Sequence, residues 1–306
     1  MNLIKPKKLK TGDTIGLLSV SGDIREPERI EKAKKYFENK GFNTVVSDTT
    51  YKQNRYLAGT DEERLNALHG FFLDKNIKAI VCTRGGYGVI RILDSIDYDV
   101  IAQNPKILVG YSDITALLAM VYKKTGLVTF HGAMANGDFG EDKISECTEK
   151  SFFETLQNYK KGFEIKSEGN FKSYFKGKAQ GILWGGNLAT LSSLAGQDFV
   201  PDEKFILFLE DINEPAYKID RMLTQLLNLS KFKENLAGMA LGKFTNVDRK
   251  DYLEGFLKEF SSQLQIPVCN GFLISHEKDK LTLPVGAQVE FDADNACIKA
   301  LEDIFA

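Results

Sequence analysis

The sequence predicts an α/β protein with two domains. In the first half of the chain, apolar runs of strand length alternate with segments whose apolar residues recur at helical spacing. This alternation is typical of right-handed crossover connections and a mainly parallel sheet. Loops that contain glycine or serine directly follow these strands, which is where open α/β sheets bind ligands. The length of 306 residues favours two domains over one.

The first elements are marked by helix start and stop signals. Pro27 and Gly41 are a typical start and stop of a helix, and Thr60 with Glu63 has the spacing of a capping box. In chain order, the predicted elements are a strand over Thr14 to Ser19, a helix over Pro27 to Lys40, a strand over Asn43 to Ser47, a helix that begins after Thr60, and a strand over Lys78 to Cys82.

The composition changes in the middle of the chain. Polar and charged residues dominate from Asn136 to Lys178, which indicates a transition between domains. We therefore predict an N-terminal α/β domain over residues 1–140, a linker region over residues 141–175 and a C-terminal domain over residues 176–306. The last strands, Leu281 to Asp292 and Ala296 to Ala300, are separated by the turn signal Asp294-Asn295 and predict an antiparallel hairpin.

Ser112 is a candidate nucleophile because it stands between an apolar run and a predicted helix. Ile107 to Val109 form the run, and apolar residues from Ile114 to Val121 recur at helical spacing. Unpaired amides in the first turn of a helix can stabilise a developing anion. A capping turn explains the same pattern, with the hydroxyl accepting a hydrogen bond from a free amide. Ile114 also replaces the second glycine of a Gly-x-Ser-x-Gly elbow.

Histidine is scarce in this chain, so a general base drawn from it has few candidates. His276 lies in a polar loop after the predicted strand Ile266 to Cys269, and loops at strand ends often carry catalytic groups. The other two histidines, His69 and His131, suit packed or hydrogen-bonded positions. A solvated loop histidine is the alternative for His276.

A carboxylate follows another apolar run. Lys204 to Leu209 has strand length and ends in Glu210-Asp211. Such a carboxylate can hold a histidine in the required tautomer while the histidine takes the proton of a serine. Asp211 or Glu214 could fill this role as well as Glu210, and a carboxylate that favours a helix entry is the alternative.

The glycine-rich segment Arg84-Gly85-Gly86-Tyr87-Gly88 follows a predicted strand. Glycines in this position can cradle a phosphate, but the segment has neither the Gly-Lys-Ser/Thr ending nor a Gly-x-Gly-x-x-Gly run. Arg84 could clamp a substrate carboxylate with its planar fork, and Tyr87 is a further candidate substrate contact. The default alternative for Arg84 is a solvated surface arginine.

Five ordered segments together resemble the LD-carboxypeptidases, a family of serine peptidases with a Ser-Glu-His triad in that chain order. The resemblance covers nearly the whole chain. The matching segments are Arg84-Gly85-Gly86-Tyr87-Gly88, Gly110-Tyr111-Ser112-Asp113-Ile114-Thr115, Gly185-Gly186-Asn187-Leu188, Leu209-Glu210-Asp211-Ile212-Asn213-Glu214, and the His276 loop that leads to Leu283-Pro284-Val285-Gly286.

The resemblance implies a role for each of these residues. Ser112 would be the nucleophile, His276 the general base and then acid, and Glu210 the residue that orients His276. The oxyanion hole would consist of the backbone amides of Asp113 and Gly86. Glycine suits the latter position because a side chain would block the approach of the backbone to the scissile carbonyl. No metal or other cofactor is implied.

The resemblance also implies the fold and assembly. It implies a flavodoxin-like N-terminal domain related to class I glutamine amidotransferases and a smaller, swivelling β/α C-terminal domain. With Ser112 in the first domain and Glu210 and His276 in the second, we expect the active site to lie at their interface. A homodimer is expected.

Two positions depart from the family pattern. Ser275 precedes His276 where a glycine is expected, which could alter how the loop aims the histidine. Trp184 precedes Gly185-Gly186 where a smaller residue is usual. This tryptophan could pack at an interdomain surface or contact substrate.

The hypothesis that follows is hydrolysis of a bond between an L-centre and a terminal D-amino acid, releasing D-alanine from a murein tetrapeptide in cell-wall recycling. One alternative is a microcin-immunity type of peptidase that cleaves peptide or aminoacyl nucleotide conjugates, for which Trp184 could stack on a base. Another alternative is a noncatalytic protein that binds a small anion.

The composition agrees with a soluble enzyme. The net charge of −2, from 40 basic and 42 acidic residues, gives no field that would attract nucleic acid or an anionic membrane. No signal-peptide apolar region and no 18-residue apolar run is found in the sequence, so we expect a cytoplasmic location. Cys82 and Cys269 lie in apolar runs and fit packing roles better than a nucleophilic one.

Overall fold

The computed structural model describes residues 2–167 and 169–306. The described chain divides into two compact units. The first runs up to Tyr159 and also includes Thr282–Pro284 and Ile304–Ala306, and the second consists of Lys160–Leu281 and Val285–Asp303. The first unit is therefore built from three separate stretches of the chain.

The first unit holds a sheet that, among the described residues, has six strands in the order β2-β1-β3-β4-β5-β12. Strands β1 to β5 pair in parallel. The order 2-1-3-4-5 is that of flavodoxin-like sheets, so the predicted fold is confirmed. The strands are Thr14–Leu18 (β1), Asn43–Val46 (β2), Ile77–Cys82 (β3), Ile107–Gly110 (β4), Thr129–His131 (β5) and Leu283–Val285 (β12).

Three helices of this unit lie within a few residues of their predicted positions, whereas those over Tyr98–Gln103 and Glu146–Asn158 are not predicted by the sequence analysis. Thr60 and Glu63 form both hydrogen bonds of a capping box at the start of the second helix. Gly126, with φ of 79°, ends the fourth helix in the left-handed region. The helices are Pro27–Asn39 (α1), Asp61–Leu73 (α2), Tyr98–Gln103 (α3), Ile114–Thr125 (α4) and Glu146–Asn158 (α5).

Strands β3 and β4 are almost completely buried, which indicates that both of their faces are covered. All four residues of β4 are buried, as are all residues of β3 except Lys78. Their carboxyl ends lead directly into the glycine-rich segment and into Ser112. Burial on both faces thus fixes the two strands from which the candidate nucleophile and its neighbouring loop emerge.

The second unit holds a mixed sheet whose described strands number eight, in the order β6-β14-β13-β8-β9-β10-β11-β7. Its centre, β8 to β11, is parallel, and its flanking strands are antiparallel. The strands are Glu164–Lys166 (β6), Ser173–Phe175 (β7), Lys178–Asn187 (β8), Phe205–Ile212 (β9), Leu236–Thr245 (β10), Val268–Cys269 (β11), Gln288–Asp292 (β13) and Cys297–Ala300 (β14); the helices are Leu188–Ser193 (α6), Ala216–Leu227 (α7), Ser230–Asn235 (α8) and Lys250–Leu264 (α9).

The predicted C-terminal hairpin is confirmed, with one difference. Strands β13 and β14 pair antiparallel across the turn that contains Asp294 and Asn295. The segment predicted as one strand over Leu281 to Asp292 is instead split, and its first part, β12, belongs to the sheet of the first unit. Gly286, with φ of 96°, lies at the break between these two parts.

The segment predicted as a linker contains regular structure. Residues 141–175 include α5, which lies in the first unit, and the short strands β6 and β7 of the second. The predicted domain limits stay a proposal, because a domain is defined by its ability to fold independently.

Within the described residues, no helix has both the length and the apolar character that a membrane span requires.

Candidate active site

Ser112 lies in a sharp turn between β4 and α4. Its φ of 61° places a residue other than glycine in the left-handed region, which is uncommon and costs free energy. The chain reaches Ser112 from the buried end of β4 and enters α4 at Ile114 two residues later. Strand-to-helix turns of this kind can present a nucleophile.

The packing of this turn explains how Ile114 replaces the expected glycine. A Cβ atom added to Gly110 would lie 2.6 Å from Cγ2 and 2.9 Å from Cβ of Ile114. The small residue that lets strand and helix approach closely is therefore on the strand, at position 110. The absence of glycine at position 114 does not argue against a nucleophile turn in this chain.

The glycine-rich segment is packed directly against Ser112. A Cβ atom added to Gly85 would lie 2.7 Å from Cβ and 2.9 Å from Oγ of Ser112, and 3.1 Å from the backbone nitrogen of Asp113. Only glycine can bring its backbone this close. Gly86 follows with φ of 109°, which also favours glycine. The structure thus places Ser112 and Asp113 against Gly85, which directly precedes the predicted oxyanion-hole residue Gly86.

The loop after β1 supports the glycine-rich segment from another side. The Gly22 amide donates a hydrogen bond to the Gly85 carbonyl at 3.1 Å. Arg84 donates from Nη1 to the Asp23 carbonyl at 2.7 Å. Part of the Arg84 guanidinium therefore holds this loop, so the arginine is more than a solvated surface residue. Tyr87 is 45% exposed, and its ring lies 5.6 Å from that of Tyr56.

Glu210 and His276 form a hydrogen-bonded pair in the second unit. His276 Nδ1 and Glu210 Oε2 are 2.6 Å apart, the Glu210 side chain is fully buried and that of His276 is 16% exposed. Glu210 lies near the end of β9, which extends to Ile212 and so continues past the predicted strand end. A buried carboxylate on Nδ1 fixes the tautomer that presents Nε2 for proton transfer.

Two further residues contact this pair: Asn187, which the sequence analysis assigns no role, and Asp211, which it names as an alternative to Glu210. Asn187, at the end of β8, donates from Nδ2 to Glu210 Oε1 at 3.2 Å and to Asp211 Oδ1 at 2.9 Å. Asp211 also accepts from the amides of Ala189 and Ile212. Burial raises the pKa of Asp211 to about 6. The segment Gly185-Gly186-Asn187-Leu188 was the available signal for Asn187.

The other histidines and the buried cysteines have structural environments. His69 accepts a hydrogen bond at Nε2 from the Asp97 amide at 2.9 Å. His131 is buried at the end of β5, with its ring 6.1 Å from that of Tyr111. Cys82 and Cys269 are buried as predicted, and burial raises the pKa of each thiol to about 12. Across the described residues, no cluster of three or more histidine, cysteine or acidic residues could hold a metal.

Comparison with known proteins assigns both halves of the chain. Residues 15–132 match the LD-carboxypeptidase N-terminal domain, and residues 180–291 match the LD-carboxypeptidase C-terminal domain. The chain belongs to the LD-carboxypeptidase family. The resemblance predicted from the five sequence segments is thereby confirmed, and so is its coverage of both halves of this peptidase.

Individual relatives of this LD-carboxypeptidase agree with the assignment. The "Probable murein peptide carboxypeptidase" of Bacillus subtilis (strain 168) is 37% identical over 93% of this chain and 90% of that protein. The "Microcin C7 self-immunity protein MccF" of Escherichia coli is 33% identical over 96% of this chain and 94% of that protein. The crystal structure of muramoyltetrapeptide carboxypeptidase from Oxalobacter formigenes has a TM-score of 0.84 at 30% identity, covering 96% of this chain and 100% of that one.

The two departures from the family pattern have structural explanations in this LD-carboxypeptidase. The Ser275 hydroxyl accepts a hydrogen bond from the Glu277 amide at 3.0 Å, so it shapes the loop, and His276 still contacts Glu210. Trp184 is fully buried, with its ring 5.2 to 6.2 Å from those of Phe199, Phe205 and Phe232. The suggestion that Trp184 contacts substrate is corrected, because its indole is enclosed by core side chains.

Proposed function

We propose that this LD-carboxypeptidase is a serine hydrolase that cleaves the bond between an L-centre and a terminal D-amino acid. The observation that carries the proposal is the pair formed by buried Glu210 and His276 Nδ1, because a carboxylate on Nδ1 selects Nε2 as the nitrogen that exchanges protons. The positive φ of Ser112 supports its assignment as the nucleophile. The substrate we propose is a murein tetrapeptide that loses D-alanine, in keeping with the name of the Bacillus relative.

The proposed reaction has two halves. Ser112 Oγ attacks the carbonyl carbon while His276 Nε2 takes the hydroxyl proton, and Glu210 stabilises the imidazolium that forms. The amides of Asp113 and Gly86 would bind the oxyanion. Collapse of this intermediate breaks the C–N bond, and His276 gives its proton to the departing amine of D-alanine. Water, activated by the same imidazole, then releases the acyl group and regenerates Ser112.

We also propose which side chains contact the substrate. Arg84 and Tyr87 belong to the glycine-rich segment, and we propose that they contact the peptide near its scissile bond. Because Arg84 Nη1 is occupied by the Asp23 carbonyl, the remaining N–H groups of the guanidinium would be those that face a carboxylate. The protein is proposed to be a cytoplasmic homodimer, which cell fractionation and light scattering of the purified chain would test.

A second candidate function comes from the 33% identity to MccF. Under this alternative the scissile bond lies in a peptide or aminoacyl nucleotide conjugate, cleaved by the same serine chemistry. Burial of Trp184 removes the stacking surface that made this alternative attractive for this chain. The murein substrate is therefore the one we put first.

Mass-spectrometric detection of D-alanine released from a murein tetrapeptide tests the proposal. Wild type should release it, and Ser112→Ala should lose at least about 10³-fold in rate. Ser262→Ala, which removes an exposed serine on α9, is the matched control and should match wild type. Cleavage of an aminoacyl-sulfamoyl adenosine alone would favour the second candidate. Activity of a folded Ser112→Ala protein would reject a serine nucleophile, and wild type that cleaves neither substrate would favour a noncatalytic anion-binding protein.

A further inference from the structure

The side chain of Asp113 joins three loops at the candidate nucleophile. Its Oδ2 accepts a hydrogen bond from Ser21 Oγ at 2.6 Å and from the Val89 amide at 2.9 Å. Ser21 belongs to the loop after β1, Val89 directly follows the glycine-rich segment, and Asp113 itself follows Ser112. The carboxylate is 8% exposed. One buried oxygen atom therefore connects the loops after β1, β3 and β4.

An aspartate at the start of a helix ordinarily has a different role. Its carboxylate usually accepts hydrogen bonds from amides in the first turn of its own helix. Within the described part of the chain, the Asp113 side chain caps no amide of α4. The two donors that it accepts from belong instead to other loops, so helix capping does not account for its position.

Arg64 binds two of these loops, the one after β1 and the one after β3. This fully buried side chain donates from Nη1 to the carbonyls of Val20 at 2.6 Å and Gly88 at 2.9 Å. Each carbonyl is adjacent in sequence to a group held by Asp113. Because Arg64 holds the carbonyls and Asp113 accepts from the neighbouring donors, the two loops are fixed at two points each.

The arrangement leaves little freedom to the glycine-rich segment. Gly88 has φ of 138°, and a Cβ atom there would lie 2.6 Å from Leu57 Cδ2 and 3.0 Å from Arg64 Nη1. Burial raises the pKa of Asp113, while the Ser21 and Val89 hydrogen bonds favour its charged form. Loss of the carboxylate would leave the Ser21 hydroxyl and the Val89 amide without their acceptor beside Ser112.

We propose that Asp113 is a positioning residue whose carboxylate holds the glycine-rich segment at a fixed distance from Ser112. It would thereby direct the backbone amides of Gly86 and Asp113 at the same oxyanion. The inference rests on the proposed function, because it assigns a purpose to the side chain of a residue whose amide was proposed for the oxyanion hole. The Asp113 carboxylate would affect the reaction through Val89 and Ser21, not through contact with the substrate.

The test uses the full-length protein and a fluorophosphonate, which reacts with an activated serine whatever the natural substrate. Ser112 Oγ forms a P–O bond, the P–F bond breaks, and fluoride leaves while His276 takes the hydroxyl proton. The phosphoryl oxygen needs the same amides as the oxyanion. Asp113→Ala should react about 10²-fold more slowly than wild type, the loss typical of a displaced oxyanion donor.

Two further variants separate positioning from stability. Asp113→Asn keeps an oxygen that can accept from Ser21 and Val89 and should recover most of the labelling rate. Asp97→Ala removes an aspartate that does cap its helix, α3, and should lower stability without changing labelling. If Asp113→Ala does not fold, Ser21→Ala, which removes one of the two donors, should slow labelling by about 5- to 10-fold in its place.

When the release of D-alanine from a murein tetrapeptide is measured, Asp113→Ala should lower kcat by about 10²-fold. Its KM should stay within about 3-fold of the wild-type value. A folded Asp113→Ala protein, or failing that Ser21→Ala, that labels at the wild-type rate would overturn the positioning role and leave the proposed function intact. Failure of Asp113→Asn to recover the rate would also count against positioning by the oxygen. Wild type that neither labels at Ser112 nor releases D-alanine would reject the proposed function and this inference together.

Discussion

At the scale of single residues, the unusual backbone of Ser112 is maintained by the groups on either side of it. A residue with a Cβ atom pays a free-energy cost for φ of 61°, so neighbouring packing must hold it there. Gly85 supplies a flat surface against its side chain, and Gly110 admits Ile114 behind it. The position of the Ser112 hydroxyl thus depends on two glycines that take no part in the proposed reaction.

Asp211 gives the protein a pH dependence that can be measured. Burial raises its pKa from 3.8 to about 6, so the folded protein holds a proton that the unfolded chain releases above pH 4. The stabilising contribution is full below about pH 4 and is lost as the pH rises through about 6. We expect this residue to lower the free energy of unfolding by roughly 2 to 3 kcal/mol between those limits.

Urea unfolding followed by the fluorescence of Trp184, the single tryptophan of the chain, measures this effect in the second unit. Asp211→Asn loses hydrogen bonds at every pH but cannot titrate. The difference in the free energy of unfolding between wild type and this variant should therefore become smaller from pH 4 to pH 7. Asp220→Asn, at an exposed position on α7, is the control and should keep the wild-type slope. A constant difference for Asp211→Asn would contradict the raised pKa.

At the scale of elements, the contact between β4 and α4 depends on one small residue. Gly110→Ala would place its Cβ 2.6 Å from Ile114 Cγ2 and should destabilise the first unit by about 1 to 3 kcal/mol. Ile114→Gly removes the opposing side chain and places a second glycine at the start of the helix. In that background, Gly110→Ala should cost much less, giving a coupling energy of about 1 to 3 kcal/mol.

A double-mutant cycle measured by urea unfolding with circular dichroism gives this coupling. Gly70→Ala is the control, because a Cβ atom at that position in α2 would meet nothing within 4 Å. It should be neutral or stabilising in either background. Additive costs for Gly110→Ala and Ile114→Gly would show that the two positions do not share one steric constraint.

Local signals in the sequence were sufficient to predict the elements that carry the candidate nucleophile and the capped helix. Ser112 follows a buried strand and Thr60 caps α2 because both features depend on neighbours within a few residues. Trp184 could not be placed in the same way, because its surroundings come from Phe199, Phe205 and Phe232, and their proximity depends on the packed fold. The contact of Asn187 with Glu210 likewise depends on how β8 and β9 pair.

At the scale of the whole molecule, the first unit is completed only by residues from the far end of the chain. Strand β12 joins the edge of its sheet beside β5, and Thr282 is tied to α5 through Ser151 and Thr155. Local sequence patterns predicted β12 as part of the hairpin strand that follows it. Its true neighbour is about 150 residues away in sequence, a separation that local periodicity does not encode.

The distant segment should therefore control the stability of the first unit. Leu283 is fully buried in β12, and Leu283→Ala should cost about 2 to 5 kcal/mol through lost packing and a residual cavity. Hydrogen exchange should show faster opening in β5 and α5, which contact this segment. Leu73→Ala, at a largely exposed position on α2, should change stability by less than about 0.5 kcal/mol. Unchanged exchange in β5 after Leu283→Ala would mean that the packing of the Leu283 side chain does not control the stability of this edge of the sheet.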